Sequence, residues 1–140
     1  MTAAALLHAG STLAMTGLIW FVQVVHYPLF RFAASGDFPQ FADSHQRRTT
    51  ALVLPLMTIE LVTAVVLALR PSAGSGGLAL VGLALLGLIW LSTALVQVPL
   101  HRKLGRRFDS ETARRLVATN WIRTAAWSLR SLVALRLIAP

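Results

Sequence analysis

The chain contains no cysteine, and acidic residues are scarce, with five Asp and Glu among 140 residues. The missing cysteines exclude disulfide bonds, thiolate metal sites and thiol redox chemistry. Charged residues make up 13% of the chain and hydrophobic residues 56%, and the mean hydropathy is +0.67. This composition is far too apolar for an ordinary soluble domain of this length, and it indicates a protein that lives in the lipid bilayer.

Charge is also missing over long stretches of the chain. Residues 2–30 contain no Asp, Glu, Lys or Arg, and a membrane-spanning helix needs roughly 20 apolar residues. A cleaved signal peptide would begin with Lys or Arg, so we interpret this run as a permanent helix. Three further runs of similar length follow, at residues 49–69, 78–100 and about 116–138. We therefore expect an all-α membrane protein with four transmembrane helices, the alternative being a soluble bundle of buried helices.

The basic residues predict how the chain lies in the membrane. Nine of them fall in the two segments between the first and second runs and between the third and fourth runs, namely Arg31, Arg47, Arg48, Arg102, Lys103, Arg106, Arg107, Arg114 and Arg115. By the positive-inside rule both basic loops are cytoplasmic, in a bacterial-type cytoplasmic membrane, with both termini outside. The net charge of +8 is then a topology signal. No aromatic-rich basic face accompanies it, so the expected partner is the lipid bilayer and not nucleic acid.

Two segments of the sequence resemble each other. LIWFVQVVHYPLFR and LIWLSTALVQVPLHR both begin with Leu-Ile-Trp and end with Pro-Leu-x-Arg, and each precedes a polar loop with a Phe and an Arg pair. We interpret residues 1–140 as one membrane domain of two tandem helical hairpins, about 1–70 and about 78–140, which form a four-helix bundle. The spacing from Trp to Pro differs by one residue, and similar hydropathy alone also imitates a repeat.

A charged pair is expected inside the bundle. Glu60 lies about half-way along the second run, where an ionised carboxylate costs about 3 kcal/mol or more unless it faces a partner or a wet cavity. In the fourth run Asn120, Arg123, Trp127 and Arg130 are spaced 3, 4 and 3 residues apart, which places them in one stripe of a helix. Arg123 is the preferred partner for Glu60, and Arg130 is the second choice.

Three histidines are predicted to meet at the cytoplasmic mouth of the bundle. Gln23 and His26 share a face of the first helix, Gln97 and His101 share a face of the third, and His45 precedes the second apolar run. Imidazoles are suitable ligands for iron, copper or zinc, so His26, His45 and His101 form a candidate metal site. Haem with axial histidines is a further alternative. No HxxxH or ExxH spacing supports either, and a site without a cofactor is the remaining alternative.

The loop FRFAASGDFPQFADSHQRR contains four phenylalanines and a proline in a segment that should face water. Such a composition predicts a short amphipathic helix that folds back onto the membrane surface and gates the mouth. A plain interfacial anchor is equally consistent with it.

The second half resembles the small four-helix membrane proteins of the anthrone oxygenase-like family. The resemblance rests on STALVQVPLHRKL and RRLVATNWIRTAAW, and the first half, with its His26 and Glu60, departs from the family pattern. It implies the same four-helix fold and admits oxidation of a polycyclic aromatic or quinone-like molecule with few or no dedicated cofactor motifs. The matching positions are Thr93, Pro99, His101, Asn120, Trp121, Arg123 and Thr124.

Two main classes of function follow from these features. In the first, the protein is a membrane oxidoreductase or oxygenase-like enzyme that acts on a lipophilic small molecule, with Glu60 or His26 as general base and Arg123 stabilising a developing oxyanion. Its predicted catalytic residues are Glu60, Arg123, Asn120 and His26, and its predicted substrate-binding residues are Gln23, Gln97, Trp127 and Arg130. In the second, the bundle is a binding or transport module, which calls for a homo-oligomer. A structural subunit with a Glu-Arg packing pair is the third possibility.

Overall fold

The computed structural model describes residues 2–33, 37–72 and 74–139, and within them the chain is helical with no strand. It confirms the predicted all-α class with four long helices. Three of them are long and apolar enough to cross a membrane, and the helix that carries Arg123 and Arg130 is not among these three. The helices are α1 (Ala3–Ala33), α2 (Phe38–Leu69), α3 (Gly76–Arg106) and α4 (Ser110–Ile138).

Helices α2 and α4 begin well before the apolar runs that predicted them. The carboxylate of Asp37 accepts a hydrogen bond from the Gln40 N–H at 3.1 Å and caps α2. Asp109 caps α4 in the same way, since it accepts from the Thr112 N–H at 3.0 Å. Such caps satisfy N–H groups that have no partner within the helix. The basic segments therefore extend the helices, and the prediction of a separate surface helix is wrong for the described residues.

Helices α1 and α3 share an unusual local feature. Each contains one π-helical turn, Val22–His26 in α1 and Thr93–Gln97 in α3, and each turn lies shortly before a proline, Pro28 or Pro99. The N–H that follows each turn bonds to the carbonyl five residues back. A proline inside a helix removes a donor and crowds the carbonyl four residues earlier, and a widened turn accommodates both effects. Helices α1 and α3 thus accommodate a proline in the same way, with a π-helical turn at corresponding positions.

The four helices form an antiparallel ring around a shared interior. Helix α1 packs against α2 and α4, and α3 packs against the same two helices. Met15, Ile19, Ile89, Leu116 and Trp127 form part of the buried core. Many large apolar side chains point outward, including Leu7 of α1 and Leu95 of α3, which are 58% and 71% exposed. The bundle is thus apolar on its outside as well as in its core.

Aromatic side chains close the end of the bundle that carries the basic segments. Phe38 packs on Phe108 and on Phe30, with ring centroids 4.9 Å and 6.0 Å apart, and Phe41 packs on Phe30 at 5.4 Å. Phe30 and Phe38 are 2% and 1% exposed. Three of the four phenylalanines that predicted a membrane-surface helix therefore form an internal cluster between helix ends, and the fourth, Phe32, is 65% exposed.

Candidate functional site

A fully buried ion pair lies across the interior of the bundle. The Nη2 of Arg130 lies 3.2 Å from Oε1 of Glu60, and neither side chain is exposed. Trp127 donates its indole N–H to the other carboxylate oxygen at 3.0 Å, and Arg130 also donates to the carbonyl of Gly82. Both oxygens of Glu60 thus have a donor, and Arg130 has both a counter-charge and a backbone acceptor.

The preferred prediction for the partner of Glu60 was therefore wrong, and the second choice was right. Arg123 lies two helical turns, about 10 Å, nearer to the basic end of α4 than Arg130. Helices α2 and α4 both begin at the basic end and run in the same direction, so the height of Arg123 on α4 is level with Val53, near the middle of α2, and not with Glu60. Glu60 is matched in depth by Arg130 alone of these two residues.

A histidine that the sequence reasoning left out of the site belongs beside the ion pair. His8 Nδ1 lies 3.0 Å from the hydroxyl of Thr63, and both residues are buried. Thr63 donates its own hydroxyl hydrogen to the Ile59 carbonyl at 2.6 Å, so His8 Nδ1 is the donor of the pair. The signal that was missed is the position of Thr63, three residues after Glu60 on the same face of α2. We call these residues, His8, Glu60, Thr63, Gly82, Trp127 and Arg130, the ion-pair layer.

Nearer to the basic end, side-chain amides connect α1 to α4. The Oε1 of Gln23 accepts from the amide of Asn120 at 2.8 Å, and the Oδ1 of Asn120 accepts from Nη1 of Arg123 at 3.1 Å. On the opposite side of α4, the amide of Gln97 donates to the Thr119 hydroxyl at 2.9 Å. The structure thus joins the predicted residues Gln23, Asn120 and Arg123 into one hydrogen-bonded chain.

The three histidines expected at the mouth do meet there. His26 Nε2 lies 2.8 Å from His45 Nδ1, and the rings of His45 and His101 have centroids 5.6 Å apart. His101 Nε2 lies 2.9 Å from the hydroxyl of Tyr27. The sequence reasoning missed Tyr27, although it is the single tyrosine of the chain and stands next to His26 in the repeated HYPLFR segment.

These histidines do not fit the predicted iron or copper site. Among the described residues, no group of three or more His, Cys, Asp or Glu side chains is arranged to hold a metal ion. His26 Nε2 and His45 Nδ1 face each other at hydrogen-bond distance, His101 Nε2 faces Tyr27, and Glu60 is held in its ion pair. One ring nitrogen of each histidine is thus engaged by a protein partner.

A cavity of about 310 Å³ opens between the amide chain and the histidines, within the roughly 300–1,000 Å³ of small-molecule sites. Helix α1 contributes mainly apolar side chains to its lining, and α2, α3 and α4 contribute most of the polar ones. Arg102 lies at its edge. Residues that line this pocket include Met15, Leu18, Ile19, Val22, Tyr27, His45, Thr49, Thr93, Gln97, His101 and Arg123.

Arg123 gives the pocket its electrostatic character. The side chain is only 7% exposed, and its Nε has no hydrogen-bond partner in the described part of the chain. The guanidinium lies 5.2 Å from the Trp127 ring and faces the Tyr27 hydroxyl. The buried Oε1 of Gln97, also at the pocket, likewise lacks a partner among the described residues.

No carboxylate is left to neutralise Arg123. The chain has five acidic residues, all of them within the described ranges. Four form ion pairs with other basic residues, and the fifth caps a helix. They are Asp43 with Arg47, Asp109 with Lys103, Glu111 with Arg114 and Arg115, Glu60 with Arg130, and Asp37 at the start of α2. The protein thus buries one cation at a cavity without supplying its counter-charge.

Several predicted site residues lie outside the pocket. Glu60, Trp127 and Arg130 belong to the ion-pair layer, and His26 lines a neighbouring groove on the outer surface. Gln97, Arg123, His45 and His101 line the pocket itself. The catalytic and substrate-binding roles given to these residues stay predictions.

Comparisons of the chain with known protein families, with curated proteins and with solved structures give no match. The resemblance to the anthrone oxygenase-like family, and the oxidation that it implies, therefore stay predictions.

Proposed function

We propose that the protein is a small polytopic membrane enzyme that binds a lipophilic aromatic or quinone-like molecule in the pocket and holds an acidic oxygen of that molecule against Arg123. The observation that carries this proposal is the buried, unneutralised guanidinium at the pocket. Three further features support it: the apolar outer surface of the bundle, the Tyr27–His101 pair beside the pocket, and the ion-pair layer that closes the interior beyond the pocket.

The outer surface supports insertion of all four helices in the bilayer. Helix α4 turns Arg123 and Arg130 inward, where they are 7% and 1% exposed, while Leu132 and Leu135 on its outer side are 65% and 45% exposed. At 1.5 Å per residue its 29 residues extend about 43 Å, enough to cross the hydrocarbon core. In this arrangement the basic helix ends face the cytoplasm and both termini face outward.

The charge of Arg123 favours a ligand with an anionic oxygen. A buried charge is costly unless a partner of opposite charge and further hydrogen bonds compensate for its lost hydration. Asn120 and Tyr27 provide neutral oxygens only. A phenol or an enolisable ketone supplies the missing negative charge when it loses a proton, and its rings fit the apolar wall of α1.

Tyr27 and His101 form the acid–base pair beside that oxygen. Their side chains are 2.9 Å apart, and both line the pocket. His101 accepts the proton of the substrate hydroxyl, directly or through Tyr27, and Arg123 stabilises the resulting oxyanion. This assignment replaces Glu60 as the base, because both carboxylate oxygens of Glu60 are already bonded to Arg130 and Trp127.

The oxidation implied by the family resemblance has dioxygen as its co-substrate. In an anthrone-like ketone, deprotonation gives an electron-rich enolate, which dioxygen oxidises. The ring CH₂ loses two hydrogens and gains one oxygen to become a carbonyl, and the second oxygen atom leaves with those hydrogens as water.

The ion-pair layer favours a site entered from one side over a transport path. Glu60, Trp127 and Arg130 are almost fully buried and fill the interior beyond the pocket. A solute that crossed the bundle would have to separate this ion pair, and removing one partner of a buried pair costs about 3–5 kcal/mol.

Binding of 1-naphthol to the protein in lipid nanodiscs tests the proposal, together with oxygen uptake in the presence of anthrone. We expect 1-naphthol binding that Arg123→Gln weakens about tenfold or more, and uptake of one dioxygen per carbonyl formed. Arg136→Gln is the matched control, because Arg136 is an exposed arginine of the same helix. Equal binding to both variants would contradict the role of Arg123. Binding without oxygen uptake would leave a binding module in place of an oxygenase.

A further inference from the structure

A second cavity lies on the outer surface beside the pocket. It is a groove of about 400 Å³ between α1 and α2. Phe21 and Leu52, at the groove, are 56% and 55% exposed, so in a bilayer this groove opens sideways to lipid. Its basic end is marked by Arg48, an exposed residue.

We propose that this groove holds the apolar tail of the molecule whose oxygen is bound at Arg123. The ligand class is then an aromatic head group with an attached alkyl or isoprenoid chain, which enters from the bilayer between α1 and α2. This inference rests on the proposed function and adds to it the shape of the ligand and its route.

The groove and the pocket adjoin each other and share a wall. Leu18, Val22, His45 and Thr49 line both cavities. These four side chains stand between the two cavities, so a tail attached to a head group in the pocket would have to pass between them to reach the groove. The widened turn of α1 begins at Val22, which places the irregular part of the helix at this passage.

His45 is the divider between the two cavities. Its Nδ1 is held by His26 at 2.8 Å and by the Thr49 hydroxyl at 3.2 Å, and its ring lies 5.6 Å from that of His101. His26 lines the groove, and His101 lines the pocket. One side chain thus contacts a groove residue on one side and a pocket residue on the other.

The lining of the groove fits a hydrocarbon chain. Its apolar lining comes from Leu18, Phe21, Val22, Phe41 and Leu52, and its polar lining residues are His26, Ser44, His45, Arg48 and Thr49. A tail in this groove would cover apolar side chains on one side and face lipid on the other. Each buried methylene that leaves water contributes about 0.8 kcal/mol, although a tail transferred from lipid gains less.

The test compares two probes, 1-naphthol and 1-naphthol with an octyl chain, in lipid nanodiscs at equal concentrations in the membrane. The variant Leu52→Trp narrows the groove. Leu54→Trp is the matched control, because Leu54 is 49% exposed on the same helix and lines neither cavity. We expect Leu52→Trp to weaken binding of the octyl probe about tenfold and to leave 1-naphthol unchanged, and Leu54→Trp to change neither.

Other outcomes overturn the inference, and they separate it from the proposed function. If Leu52→Trp changes neither probe, or changes both equally, the tail does not lie in the groove, although 1-naphthol binding would still support the pocket. An octyl probe that binds no more tightly than 1-naphthol would mean that ordinary lipid chains fill the groove. If neither probe binds the unaltered protein, the proposed function fails as well. Ser44→Phe fills the groove from its other end and must give the same pattern if Leu52→Trp does not fold.

Discussion

Two arginines on one face of α4 have opposite surroundings. Arg130 is buried against a carboxylate and a backbone carbonyl, and it lines neither the pocket nor the groove. Arg123, two turns away and almost as buried, has no carboxylate partner among the described residues and lines the pocket. The same residue type in the same stripe therefore serves as internal structure at one depth and as a candidate ligand contact at the other. The presence or absence of a counter-charge distinguishes the two.

The largest effect is expected from breaking the pair at Arg130. Glu60→Gln leaves Arg130 buried without its counter-charge, so we expect the free energy of unfolding to fall by about 3–5 kcal/mol. Denaturant unfolding in mild detergent measures it. A double variant, Glu60→Leu with Arg130→Met, should recover most of this loss, because an apolar pair needs no charge compensation. A Glu60→Gln protein of normal stability that has lost turnover would instead restore Glu60 as a catalytic residue.

The opposite result is expected at Arg123. Arg123→Met removes a buried charge that has no counter-charge, at the expense of one hydrogen bond to Asn120, so the stability of the ligand-free protein should change little or rise. Binding of 1-naphthol should fall by about 10- to 100-fold, the equivalent of a hydrogen bond to a charged group. Thermal unfolding with and without the probe measures both quantities. A loss of stability as large as that of Arg130→Met would mean that Arg123 is a packing residue as well.

A smaller effect on stability is expected at the Tyr27 hydroxyl. Tyr27→Phe leaves His101 Nε2 without its partner at 2.9 Å, which should cost about 1–3 kcal/mol. Oxygen uptake with anthrone should fall by about 10²- to 10⁴-fold if the pair transfers the proton. Binding of 1-naphthol should change little, because Arg123 is intact. Unchanged uptake in Tyr27→Phe would exclude this pair as the acid–base group.

The smallest effect concerns the loop before α4, outside the membrane-spanning segments. Hydrogen bonds from the hydroxyl and the N–H of Thr112 lower the pKa of Asp109 from 3.8 to about 2. A lowered pKa in the folded state means that the cap stabilises the helix above about pH 4 and loses this effect as the pH falls toward 2. Faster amide exchange in the first turn of α4 should appear in that range, and Asp109→Asn should remove the pH dependence. Exchange that is independent of pH, after correction for its intrinsic rate, would contradict this.

The sequence predicted the polar face of α4 correctly because helical spacing depends only on local geometry. Asn120, Arg123, Trp127 and Arg130 all lie inside the bundle. The partner of Glu60 was misassigned because pairing between helices depends on their relative depth. That depth follows from where α2 begins, at Phe38 and not near residue 49, and hydropathy does not reveal a helix start within a polar segment.

Two residues that sequence patterns did not mark, Tyr27 and His8, also belong to these sites. Tyr27 and His8 find their partners 74 and 55 residues away in the chain, and no local pattern announces such contacts. The convergence of three histidines was predictable from their common end of the bundle. The hydrogen bond between His26 and His45, and the one between His101 and Tyr27, were not predictable, because they depend on the rotation of each side chain.

The most direct test of the central claim is the pKa of 1-naphthol bound in the pocket, followed by its ultraviolet absorption in nanodiscs. If Arg123 lacks a counter-charge, it should stabilise the naphtholate and lower the pKa of the bound probe by about 1 to 3 pH units relative to empty nanodiscs. In Arg123→Gln most of this change should disappear, while Arg136→Gln should keep it. If the pKa of the bound probe equals its pKa in empty nanodiscs, the claim that Arg123 binds an anionic oxygen is contradicted.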